Sequence, residues 1–485
     1  MLKLNFKPFF STIPNKFKIP IVSFSIKNSL QSQPPTVRQN VSLNNLPTTT
    51  TTTTTSHLLS HSPPPTSAYI HLPFCRKRCH YCDFTIVALG TSSNQFKDED
   101  DPRITNYVQL LCREIKATKP ISNDNPPLET IFFGGGTPSL VPPKLVSSII
   151  NMLKDKFGVC SNAEISIEMD PGTFDDVKMK ELLELGVNRV SLGVQAFQED
   201  MLKKCGRAHG LREVHEAIEI VKSCGLENWS LDLISSLPHQ TREMWEESLE
   251  LTIQASPTHV SVYDLQVEQG TKFGSLYTPG EFPLPSDTQS AEFYKMASKT
   301  LGNAGYEHYE ISSYCKEGYM CKHNVTYWQN RSFYAFGLGS ASFLGGVRFS
   351  RPKKMKEYTG YVQDLENGLV LDKQGNGLVD ANDKAIDVVM LSLRTATGLN
   401  LRSFGESFGS SLISTLCKAF KPYVDSGHVI ALDVRRNSLS ADEFSTLLFD
   451  EGKIEEMVAF IRLSDPDGFL LSNDLISSAF AAIAP

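Results

Sequence analysis

Three cysteines, Cys75, Cys79 and Cys82, fall within eight positions in the stretch "HLPFCRKRCHYCDF" (71–84), spaced C-x3-C-x2-C. Thiols so clustered in an intracellular-type chain point to a metal site. A structural zinc takes four closed ligands, usually from two separated pairs; here His71 or His80 would have to be the fourth, because the next cysteine is Cys112. A cubane iron–sulfur cluster normally takes four thiolates, and three leave one iron open to a small molecule. The residues favour the cluster and leave zinc open. Arg76, Lys77 and Arg78 are either a solvated loop face or positive charge that favours thiolates and an anionic cluster. They also suit an electron donor with an acidic surface.

Such a loop needs a scaffold. From residue 67, short apolar or β-branched runs alternate with helical patterns. The runs are "SAYIHL" (67–72), "ETIFFGG" (129–135), "EISIEMD" (164–170), "RVSLGVQ" (189–195), "WSLDLI" (229–234) and "HVSVYDL" (259–265). Helices are predicted between them, for example over 143–157 and over 211–225, where Gly225 stops the pattern. Six such repeats predict an α/β fold with a parallel sheet, open or curved toward a barrel. Polar and glycine-rich residues follow each run: the cysteines, then "GGGTPS" (134–139), Glu168 with Asp170, Gln195, Asp232 and Gln266. Barrel-type α/β folds build their sites at these C-terminal ends.

The chain has 485 residues, 40% apolar and 21% charged, with a formal charge of -7. That suits two or three globular domains and gives no general reason to expect nucleic acid as partner. No apolar run is long enough for a membrane span. Residues 1–66 differ: they contain no Asp or Glu, carry Lys3, Lys7, Lys16, Lys18, Lys27 and Arg38, and include a threonine run at 48–55 and "SPPP" at 62–65. This composition predicts an organelle transit peptide and linker, with plastid favoured over mitochondrion; a plain disordered tail is the alternative.

The residues also carry a resemblance. "YIHLPFCRKRCHYCDF", "FFGGGTPS", "SIEMDPG", "NRVSLGVQAF", "GRAH", "LDLISSLPHQT", "HNVTYW" and "FGLGSAS" together resemble the radical S-adenosylmethionine (SAM) superfamily. Within it they look like the oxygen-independent coproporphyrinogen III oxidase group, closest to its HemW-type haem chaperones. The resemblance implies a partial (β/α)6 barrel over 67–300, a sheet extension covering the pocket over 301–378, and a small helical, winged-helix-like domain over 379–485. It implies that Cys75, Cys79 and Cys82 ligate a 4Fe–4S cluster whose fourth iron binds SAM, a chemistry the cofactors own. SAM contacts are implied at Tyr69, Gly135, Gly136, Thr137, Glu168, Gln195, Arg207, Asp232 and Gln266. One departure stands out: the family usually has Tyr-Gly where this chain has Ser235-Ser236, and a glycine there permits backbone angles that serine tolerates poorly.

Oxidase and chaperone are both compatible with this framework. Asp83-Phe84 follows Cys82, where oxidase members resemble C-x3-C-x2-C-x-C, and "GRAH" and "HNVTYW" look like the chaperone side. A neutral histidine can ligate haem iron, and the resemblance makes His323 the candidate haem contact, with Tyr327 and Trp328 as flat surfaces for the porphyrin; on the residues alone, a satisfied loop histidine beside ordinary core aromatics is the alternative. Cys315 and Cys321 flank this segment as further candidate thiolates. The implied partners are haem, a haem-accepting protein and a reducing electron donor. Beyond the core, "FGLGSASFLGGVRFS" (336–350) reads as strand-like, 384–399 as an amphipathic helix, and 90–103 and 437–457 as polar surface insertions.

Overall fold

The structure is a computed structural model that describes residues 63–90, 101–121, 126–369 and 381–483. Residues 1–62 of the expected leader and most of the 90–103 insertion lie outside these residues. Six parallel strands stand in sequence order: β1 (Ser67–Leu72), β2 (Leu128–Gly135), β3 (Val159–Met169), β4 (Arg189–Gln195), β5 (Trp229–Ser235) and β6 (His259–Asp264). Helices α1 (Pro102–Ala117), α2 (Pro143–Phe157), α3 (Asp176–Glu184), α4 (Leu211–Ser223) and α5 (Arg242–Ala255) lie between them, and α6 (Asp287–Asn303) follows. Each strand alternates. Ile70, Ile131, Ile167, Val190, Leu231 and Val260 belong to the large core shared with the helices. The other face, carrying Ser166, Arg189, Ser191, Ser230, Asp232, His259 and Ser261, is a polar lumen. Most parallel strands are apolar on both faces, so this alternation marks a barrel that is not filled by its own side chains.

Residues 301–378 do not simply cover the mouth. Antiparallel strands β7 (Glu307–Glu310) and β8 (Ser313–Cys315) extend the sheet beyond β6, and β9 (Tyr334–Phe336) pairs in parallel with β1 at the opposite edge. Between them, α7 (Lys322–Trp328) closes the floor, at the N-terminal ends of the strands. Thr326 meets Ser67 of β1, His323 meets Thr130 of β2, and Glu164 of β3 accepts the backbone N–H groups of Lys322 and His323. The strand-like 336–350 stretch then forms a hairpin, Ala341–Leu344 with Val347–Ser350, turning at Gly345-Gly346. Arg351 ties this hairpin to α1 through the fully buried Glu114 (2.7 Å), which also accepts from Tyr358 and the Gly337 N–H.

The C-terminal unit has its own core, around Val389, Phe404, Phe420, Ile461 and Ile476. Its helices, including Ala381–Ser392, Ser411–Asp425 and Ser472–Ile483, pack with a three-stranded antiparallel sheet. The 437–457 insertion contains two short helices rather than only loop: Ser440 and Glu443 form a capping box, and Phe444 and Ile454 are buried.

Candidate functional site

The loop after β1 brings the three thiols to one cavity of about 560 Å³, also lined by Gly135, Gly136, Thr137, Glu168, Gln195, Arg207, Asp232 and Gln266. That volume is ordinary for a small-molecule site. The loop is pinned from several sides. Arg78 donates to the carbonyls of Cys82 and Phe84 (both 3.0 Å), Arg76 donates to the Gly172 carbonyl (2.8 Å), and Thr137 donates to the Cys75 sulfur (3.5 Å). Lys77 is left exposed at the surface, and Asp83 and Phe84 line the mouth. Burial pushes the Cys75 thiol up to about 12 and also raises Cys82, so in the metal-free protein these are neutral thiols. A metal deprotonates a coordinating thiol outright. Among the described residues no three His, Cys, Asp or Glu side chains converge tightly enough for a single ion. Three thiols spread along one short loop and facing a shared cavity fit a cluster several ångström across.

The glycines after β2 let the backbone come close to this loop. A Cβ on Gly136 would sit 2.6 Å from the Phe74 carbonyl oxygen, and one on Gly135, at φ +123°, would sit 2.7 Å from the His71 ring. The Gly135 N–H donates to Glu168 (3.0 Å). Burial raises the Glu168 carboxyl, and the negative Asp232 adds to that. Burial also raises Asp232, against the hydroxyls of Ser191 (2.7 Å) and Ser230 (3.0 Å). Gln195 adopts φ +73° at a bulge in β4, which turns its side chain beside Gly193. Gln266 sits on the exposed rim, 3.5 Å from Asp264.

Arg207 already has its carboxylate. It forms a buried ion pair with Asp170 and donates to the Gly193 carbonyl (2.9 Å), the Tyr81 hydroxyl (2.9 Å) and the Cys79 sulfur (3.5 Å). Burial opposes ionisation of Asp170, but Arg207, with His209 and Arg76, outweighs it and holds the carboxyl below its ordinary range. Arg207 therefore couples the cysteine loop to the ends of β3 and β4. Tyr69 is buried under this level and does not line the cavity; its hydroxyl lies 3.1 Å from His71 Nδ1. The doubtful Ser236 does occupy the left-handed region, at φ +61°. Its hydroxyl bonds Asp264 (2.5 Å) and lies 2.8 Å from that of Ser290, contacts a glycine could not make. Burial pushes Asp264 up to about 6.

His323 corrects the haem expectation. Its ring is 1% exposed and off the cavity, with Nδ1 2.7 Å from Thr130 Oγ1 and Nε2 2.7 Å from the Tyr327 hydroxyl, stacked on Phe132. An axial ligand needs a free nitrogen facing the iron, and neither is free. Cys315 and Cys321 are likewise buried away from the cavity. On α7, His323 and Tyr327 share one face, turned to β2. Asn324 and Trp328, also four apart, share the next, and it is these two that line the cavity. The cavity residues that motif reading missed, Arg189, Ser191, Ser261 and Tyr263, were signalled only by polar residues at alternate strand positions.

The profile of the radical SAM superfamily matches residues 69–252. The chain is 38% identical to the heme chaperone HemW of Synechocystis sp., over 86% of this chain and 97% of that protein. It is 34% identical to that of Bacillus subtilis, over 74% and 92%, and 34% identical to that of Escherichia coli, over 68% and 82%. The chain belongs to the HemW family of radical SAM proteins. Its fold is similar to that of the Escherichia coli coproporphyrinogen III oxidase HemN, with a TM-score of 0.66 over 87% of this chain and 91% of that one, at 20% identity. Membership of the radical SAM superfamily implies a 4Fe–4S cluster and SAM.

Proposed function

We propose that this protein is a haem chaperone: it binds haem and delivers it to haem-accepting proteins. The observation that carries this reading is identity to HemW heme chaperones along nearly the whole length of one of them. The alternative, an oxygen-independent coproporphyrinogen III oxidase, has only the fold in its favour. Cys75, Cys79 and Cys82 hold the cluster, and SAM lies along Gly135, Gly136 and Thr137, with Glu168, Gln195 and Asp232 as polar contacts and Gln266 at the rim. When bound, the cluster supplies electrons for SAM cleavage. The chain's part is to orient SAM, and Arg207 and Tyr69 act here as positioning residues, one bracing the cysteine loop and the other supporting it from below. The basic loop, with Lys77 outermost, receives a reducing donor with an acidic surface. The acid-free leader directs the protein to an organelle, the plastid first.

Two assays on one anaerobic, cluster-reconstituted preparation test this. Haem titration is expected to give a saturable absorbance change at one haem per chain, and incubation with coproporphyrinogen III, SAM and reductant no protoporphyrinogen IX. Turnover of coproporphyrinogen III without haem binding would make the protein an oxidase.

A further inference from the structure

The cavity does not end at the SAM level. It runs on between the open edge of the barrel and the C-terminal unit, where Tyr294, Ile311, Trp328, Phe469 and Leu470 give it apolar walls. Arg394, Asn473 and Trp328 add hydrogen-bond donors to this lining. Arg394 follows the helix Ala381–Ser392, and its carbonyl accepts the Ile311 N–H (3.0 Å), which fixes it against the sheet edge. Its guanidinium is buried and donates to Asn473 Oδ1 (2.8 Å). Because that oxygen accepts, the Asn473 amide presents its NH2 to whatever lies next to it. Trp328 is 5% exposed, and its indole N–H has no acceptor among the described residues. A buried donor left unmade costs about 1–3 kcal/mol, so such a group on a cavity wall marks where a ligand's acceptor belongs. Ser472 and Asn473 open the helix Ser472–Ile483, an end that also favours negative charge.

A guanidinium, an amide NH2 and an indole N–H all donate. Their shared complement is an acceptor-only, negatively charged group, and the apolar walls around them call for a large, flat, apolar body behind it. We propose that Arg394, Asn473 and Trp328 form a carboxylate-binding subsite that takes the acid edge of the bound tetrapyrrole. This rests on the haem reading and deepens it: the subsite recognises a propionate, while the ring lies along the seam between the barrel and the C-terminal unit. Burial pulls the Arg394 guanidinium down to about 10, and a carboxylate placed against it restores the preference for the charged form.

The test compares haem with its dimethyl ester, which keeps the ring and removes both acids. Wild-type protein, loaded with cluster, is expected to bind haem at least about tenfold more tightly than the ester, the scale of one charge-assisted hydrogen bond. R394Q and N473D are expected to lose most of that preference and to keep affinity for the ester. N473D preserves the acceptor for Arg394 and replaces the free amide with a carboxylate oxygen that repels an acid. W328F, which removes the N–H together with the pyrrole part of the indole but keeps an aromatic face, is expected to lower haem affinity severalfold and to narrow the difference between acid and ester. SAM binding and cluster content are expected to be unchanged in all three, which separates this subsite from one serving the SAM carboxylate. If wild type prefers the acid and R394Q and N473D retain that preference, or if wild type binds acid and ester equally, the subsite is wrong while the haem reading stands. If wild type binds neither, the haem reading falls and takes the subsite with it.

Discussion

The two ends of the barrel carry the two most conspicuous motifs of the chain, and they behave differently. At the C-terminal end, "CRKRCHYC" sits on an irregular loop whose thiols face a cavity; Arg78 fixes the loop's own backbone and Arg76 ties it to the Gly172 carbonyl. At the floor, "HNVTYW" is a helix whose histidine is sealed between a threonine and a tyrosine. Both motifs contain groups able to ligate metal. Only the first presents them to space a ligand can enter. The difference is one of burial and hydrogen bonding: a histidine with both nitrogens engaged is a structural pin, whatever chemistry the residue type allows.

Substitution separates the two ends. Replacing Cys79 with serine is expected to have the largest effect, loss of nearly all cluster iron and of its visible absorbance, with far-UV circular dichroism kept. Asp170→Asn strands Arg207 in a buried site and is expected to cost about 3–5 kcal/mol in denaturant unfolding, with poorer cluster retention because the brace on the cysteine loop is gone. His323→Ala removes two hydrogen bonds, leaves two buried hydroxyls unpaired and opens a cavity, at a cost of about 2–4 kcal/mol. It nevertheless keeps cluster and haem stoichiometry in the molecules that remain folded; loss of haem binding at full stability would return His323 to the role of ligand.

The floor histidine also has a pH signature. Burial holds His323 down to about 3, far below its unfolded value, so the unfolded chain takes up a proton that the native one refuses. Its contribution is present above about pH 6.5 and is lost as pH falls below that. His323→Gln is accordingly expected to flatten the fall in melting temperature between pH 6.5 and 4, relative to wild type. The smallest effect is expected for Ser236→Gly, which relieves the left-handed backbone but loses the bond to Asp264. The two nearly cancel, within about 1 kcal/mol.

Much of the barrel was legible because its signals are local. β1 and β4 have the limits that β-branched runs and turn residues suggested, and α2 spans the predicted 143–157. The cavity could be read from what stands after each strand, since the fold class fixes which strand ends converge. The floor could not. β9 joins β1 across more than 250 residues, and α7 takes its place from Glu164, Thr130 and Ser67, three strands remote in sequence. His323 was misread for the same reason: a residue's ability to ligate is written in its type, whereas the partners that use it up are set by tertiary contact. Trp328 was named from the motif and lines the cavity, whereas Tyr327, named with it, does not; Asn324 was within reach as the residue four before Trp328 on the same helix face.

A sealed floor also makes the barrel a cul-de-sac. If haem lies along the seam as proposed, it shares one cavity with SAM, and the order in which the two are loaded and released is then set by that shared space as much as by the strength of either binding site.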